Sequence, residues 1–86
     1  MERSTLEQYN YVLSLICSGQ VEKAANELEI LESMTEDLSP SVLLVPTVEP
    51  DGEVRLIEEN YSESKTDPRV AVIKILREII TKKVSE

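Results

Sequence analysis

Side chains able to do acid–base, nucleophilic or metal chemistry are few in this chain, and they are scattered. There is no histidine, which removes the imidazole base, the His-containing triad and the imidazole metal ligand. The one cysteine, Cys17, can close neither an intramolecular disulfide nor a thiolate zinc site. A thiol nucleophile wants an imidazole partner, so Cys17, in the apolar run Val12 to Cys17, is expected to pack as a buried small hydrophobe. Glu58-Glu59 and Asp51-x-Glu53 could hold a cation or exchange protons. Neighbouring strand residues point to opposite faces, however, and no further polar cluster accompanies either pair. Tyr61, within Glu58-Glu59-Asn60-Tyr61-Ser62-Glu63, could be modified or anchor a partner; the plainer reading is a loop aromatic capping the core. With Gly19 and Gly52 as the only glycines, no glycine-rich phosphate loop can form. The expectation is a non-enzymatic protein with no catalytic residue, no metal ligand and no cofactor.

The elements that must position these residues follow from capping and periodicity. Ser4-Thr5-Leu6-Glu7 has the form of a capping box. A first helix then runs from about Thr5 to Ser18, with Leu6, Tyr9, Val12, Leu13, Ile16 and Cys17 on one face and Tyr11 and Leu15 outside it. Gly19 supplies the left-handed residue that ends it. A second helix, Val21 to Glu36, carries the stripe Val21, Ala24, Ala25, Leu28, Leu31 and Met34, and the short connection makes the two helices antiparallel neighbours. Ser39-Pro40 stops helical structure. Val42 to Val48 is β-rich, Glu49-Pro50-Asp51-Gly52 is a type I turn signal, and Glu53 to Glu58 alternates as the return strand. Pro46 cannot donate in a ladder, so that strand must be an edge or carry a bulge. Residues 58–67 read as a loop. Asp67 and Pro68 then start a third helix as N-cap and first helical residue, running to Val84.

This pattern predicts a single α+β domain in the order α-α-β-β-α: a helical hairpin over 4–37, a two-stranded β-hairpin over 41–59 and a C-terminal helix over 67–84. A chain of 86 residues buries only about 60% of its unfolded surface, so the core is marginal. The N-terminal Met1-Glu2-Arg3-Ser4-Thr5 has no basic-then-apolar organisation and is not expected to be a signal peptide. Apolar runs stop at four residues, far short of the ~20 that span a bilayer. One cysteine and no disulfide framework point to a reducing, cytoplasmic home. Nine basic against 17 acidic residues give a net charge of −8, which repels phosphate backbones and disfavours direct nucleic-acid binding.

Two surfaces carry a functional expectation. The third helix places Val70, Val72, Ile73, Ile75, Leu76, Ile79, Ile80 and Val84 over about half its circumference, wider than an ordinary amphipathic stripe. Either it is sandwiched between the helical hairpin and the β-hairpin, or it is an oligomer interface. The interface reading leads to a homodimer joined through Val72, Ile75, Leu76 and Ile79 together with Tyr11 and Leu15. The second surface is acidic. The first 66 residues sum to −10 and the rest to +2, and the second helix concentrates Glu27, Glu29, Glu32, Glu36 and Asp37. Either these carboxylates keep a small protein soluble, or they face a basic protein partner.

Tyr9-Asn10, Leu13, Ile16, Cys17, Gly19, Val21, Glu22, Ala24, Leu28 and Leu31 resemble one unit of a tetratricopeptide or pentatricopeptide repeat, covering residues 9–34. The resemblance implies a helix-turn-helix hairpin, a unit that in those families binds peptides or RNA. Those families stack about three units or more, whereas here one unit is followed by a β-hairpin, and the spacing around Gly19 is a residue short of the pentatricopeptide pattern. Only the hairpin geometry carries over. The functional expectation is therefore a small acidic adaptor or regulator working through protein–protein contacts. The alternative is an acidic inhibitor or antitoxin-like phosphate mimic that occupies a nucleic-acid-binding protein.

Overall fold

A computed structural model describes residues 3–36, 38, 42–63, 65 and 67–85. Three helices and a two-stranded antiparallel sheet follow one another as α1 (Thr5–Cys17), α2 (Val21–Ser33), β1 (Val42–Val48), β2 (Val54–Asn60) and α3 (Pro68–Val84). This is the α+β order that the sequence predicts.

Each helix starts and stops where local chemistry dictates. Ser4 Oγ accepts from the Glu7 amide at 3.1 Å while Glu7 Oε1 accepts from the Ser4 amide at 3.2 Å, which satisfies donors that the first turn of α1 leaves unpaired. At the other end Gly19 adopts φ +80°. Its amide donates to the Ile16 carbonyl and the Gln20 amide to the Leu15 carbonyl, the paired bonds of a Schellman stop. Helix α2 ends at Ser33, short of the expected Glu36. Its last turn has no basic residue, so Glu32 stands at the negative end of the helix dipole with no cation of its own helix to offset it. The expected break at Ser39-Pro40 lies outside the described residues. Asp67 accepts from the Arg69 amide at 2.9 Å, with Pro68 in the first turn of α3.

Helices α1 and α2 pack antiparallel. The cross-link that fixes them is Gln8, a fully buried amide whose Nε2 donates to the Glu27 carbonyl at 2.8 Å and lies 3.2 Å from Glu27 Oε1. Gln8 and Leu15 are seven residues apart, two turns on one line of the helix, and both are buried. The buried arc of α1 is thus turned toward Gln8 and Leu15 and away from Cys17, which is exposed. The expectation of a buried Cys17 is corrected accordingly: the stripe drawn from Leu6 to Cys17 sat to one side of the true one.

The ribbon hinges on Pro50-Asp51-Gly52. The Gly52 amide donates to the Glu49 carbonyl and the Glu49 amide to the Glu53 carbonyl, both at 2.8 Å. Gly52 takes φ +90°, and Asp51 Oδ1 accepts from the Glu53 amide at 3.0 Å. This is a three-residue hairpin loop: a type I turn closed by a left-handed glycine. The register continues without a bulge from Val48↔Val54 to Val42↔Asn60.

Helix α3 packs on α2 and on β1. Its wide apolar arc is thereby used twice. Val72, Leu76, Ile79 and Ile80 are all buried in one core with Tyr9, Leu28, Leu31, Leu43 and Val45.

Candidate interaction surface

The six residues expected at a dimer interface are placed by the fold as follows. Leu15, Val72, Leu76 and Ile79 are core side chains, none more than 7% exposed within one chain. Ile75 and Tyr11 are half-buried and pack against that core. The interface assignment is therefore corrected for those four: the sandwich between the helical hairpin and the ribbon buries the middle of the α3 arc, leaving Val70 and Val84 exposed at its ends, and a second copy could reach Leu15, Val72, Leu76 and Ile79 only by opening the core. Tyr11 instead carries the chain's own cations, with the Arg3 guanidinium 4.2 Å from its ring centroid and the Lys23 ammonium at 5.9 Å.

The acidic surface of α2 is also partly spoken for. Glu27 is half-buried, and Arg3 reaches its carboxylate at 3.4 Å. Glu32 pairs with Arg77 of α3. Glu29 and Glu36 are exposed, and Asp37 lies outside the described residues. The carboxylates singled out for chemistry do not converge either. Glu58 pairs across the ribbon with Leu44 and Glu59 with Leu43, so the two side chains leave β2 on opposite faces. Asp51 is occupied in the turn. Among the described residues no group of His, Cys, Asp and Glu is arranged to hold a metal ion, and no helix is long and apolar enough to cross a membrane.

Two phenols have shifted ionisation. Tyr9 is buried, its hydroxyl donating to the Leu44 carbonyl at 2.5 Å; burial first, and Tyr61 second, hold it protonated far above the ordinary phenol range. Burial and then the nearby Glu59 carboxylate also push Tyr61 up. Tyr61 packs against the core, in line with the plainer reading of that residue.

An isolated two-stranded ribbon must pack on a helix or gain a strand from a second copy, but the ribbon residues left uncovered were not singled out from the sequence. Leu43 and Val45 of β1 are buried, but Val42, Leu44, Leu56 and Ile57 are each between 41% and 49% exposed, and every residue of β2 after Val54 is exposed. A usable signal was present: Val42-Leu43-Leu44-Val45 is apolar on both faces of a strand, and so wants cover on both.

The hydrogen-bond phase of the ribbon decides which backbone groups face outward on each edge. Glu49 and Glu53 form a bonded pair, and bonded pairs alternate along an antiparallel ladder. The bonded pairs are therefore Thr47/Arg55, Val45/Ile57 and Leu43/Glu59, and the non-bonded ones Val48/Val54, Pro46/Leu56, Leu44/Glu58 and Val42/Asn60. In non-bonded pairs the backbone groups point away from the neighbouring strand. On the β1 side only the middle of the edge is closed: the Leu44 carbonyl accepts from Tyr9, and Pro46 has no N–H to donate, the edge position that proline requires. On the β2 side Val54, Leu56, Glu58 and Asn60 turn their N–H and C=O outward. Among the described residues no backbone hydrogen bond beyond the ladder reaches them.

Compared with protein-family models, curated proteins and solved structures, the chain shows no significant match to any of them.

Proposed function

We propose that this protein acts through protein–protein contact, not catalysis, as a small acidic adaptor or regulator. Its working form is a homodimer, and its single unpaired cysteine suits a reducing cytoplasm. The observation that carries this reading is the uncovered ribbon. Val42, Leu44 and Leu56 lie on one face of the sheet, each more than 40% exposed, and among the described residues the outer edge of β2 has no backbone partner. A small monomer that leaves apolar strand surface and an open edge together carries an aggregation hazard unless something covers them.

The phosphate-mimic alternative has less support. Of Glu27, Glu29, Glu32, Glu36 and Asp37, two already answer cations of the same chain, which breaks the charge ridge into separate points.

Affinity capture from native extract at low and high salt tests the reading, with wild type set against Leu44→Lys/Leu56→Lys and Glu29→Gln/Glu36→Gln variants. Contact through the ribbon predicts capture that survives high salt and is lost in the leucine variant. Capture that falls steeply with salt and depends on Glu29 and Glu36 would replace it with the electrostatic alternative. Capture unaffected by either pair would overturn both.

A further inference from the structure

The geometry points to a second copy of this chain as the occupant of the β2 edge, the two β2 strands pairing antiparallel about a two-fold axis through Ile57, so that two ribbons become one four-stranded sheet. This assignment rests on the reading of the ribbon as the contact surface and adds its partner and its register.

The phase of the ladder limits the possibilities. Only Val54, Leu56, Glu58 and Asn60 present backbone groups outward, so an antiparallel partner must bond to these positions. A symmetric pair of identical strands then has three central registers. With Leu56 opposite its own copy, Glu53 meets Glu59 of the second copy twice. With Glu58 opposite its own copy, two carboxylates meet on the axis. Like charges directly opposite one another destabilise a sheet, and both registers carry them.

The third register places Leu56 opposite Glu58 and Val54 opposite Asn60 as the bonded pairs. Between them Ile57 faces its own copy and Arg55 faces Glu59, twice by symmetry. No like charges stand opposite each other, and the sole cation of β2 finds a carboxylate on both sides of the axis. Within one chain Arg55 lies 3.5 Å from Glu49 and is largely exposed, a surface pair that holds it only weakly and leaves it free to be shared. The interface is isologous, the same strand serving both subunits, and it extends a two-stranded ribbon that is marginal by itself.

Charge reversal and cysteine pairing test the arrangement on the intact chain, all substitutions lying at exposed positions. By sedimentation equilibrium, Arg55→Glu and Glu59→Arg should each raise the dimer dissociation constant about tenfold, since each turns two attractive cross-strand pairs repulsive. The double variant Arg55→Glu/Glu59→Arg should restore it, and mixing the two single variants should give heterodimers. In a Cys17→Ser background, Ile57→Cys should oxidise to a covalent dimer, because a non-bonded pair brings Cα atoms within disulfide range. Leu56→Cys and Glu58→Cys should not. Faster cross-linking at Leu56 or Glu58 than at Ile57 would overturn the register. A chain that stays monomeric at millimolar concentration, with no cross-link at any of the three, would overturn the second copy. If ribbon-dependent capture of another protein persisted in that case, the contact reading would survive; if it too were absent, both would fall.

Discussion

Tyr9 is where the helical hairpin and the ribbon are tied together. Its ring packs in the core, and its hydroxyl donates to the outward carbonyl of Leu44 in β1. Tyr9→Phe keeps the ring and removes the donor, so the Leu44 carbonyl loses its partner; thermal or urea unfolding should show a loss of about 1–2 kcal/mol. The same bond gives a direction for pH. The folded phenol ionises far above its unfolded value near 10, so the native state holds a proton that the unfolded chain releases. Its contribution to stability is complete below about pH 10 and is lost as pH rises toward the folded value. Tyrosinate absorbance from Tyr9 should therefore appear together with loss of helical circular dichroism in alkaline titration. Early ionisation of all three tyrosines in a fully folded chain would contradict this placement.

At the scale of elements, the turn sets what the ribbon can do. Gly52 at φ +90° closes the hairpin loop, and the register that follows decides which backbone groups face outward on β2. A Cβ at Gly52 would meet nothing within 4 Å, so the cost of Gly52→Ala is conformational alone, about 1 kcal/mol. Gly52→Asn should recover part of it because asparagine tolerates the left-handed region, and denaturant midpoints for the two variants check the order. This is also the scale at which the sequence was most legible. Ser4 with Glu7, Gly19, Pro50-Asp51-Gly52 and Asp67-Pro68 are local signals, each acting within a few residues, and each stands at the boundary it indicates. Boundaries without a local device moved: α2 stops early against its own acidic end, and β2 runs on to Asn60 through residues too polar to read as strand. The candidate surface was the least legible part. Whether an apolar residue is covered depends on which element packs beside it, and periodicity in one helix carries no such information. Leu15 and Cys17 exchanged roles for that reason.

For the whole molecule the decisive question is where the apolar surface of α3 goes. Held between α2 and β1, Val72 and Leu76 are fully buried in a single chain and therefore belong to folding, not to association. The two roles differ in how they respond to concentration. Leu76→Ala opens a cavity in a core shared by α1, α2, β1 and α3 and should cost about 2–5 kcal/mol, a large fraction of the stability that a domain of this size commands. Because the side chain works within one subunit, the drop in melting temperature should be the same at low and high protein concentration. Substitution at an interface would behave otherwise, its penalty shrinking as mass action restores the oligomer. Ile57→Ala supplies the contrast. It leaves the core intact, so a dilute sample should melt as wild type does, and a deficit relative to wild type should emerge only at concentrations where the β2 edges meet. A concentration-dependent Leu76→Ala, or a dilute Ile57→Ala monomer that melts several degrees early, would reverse the division between core and contact surface.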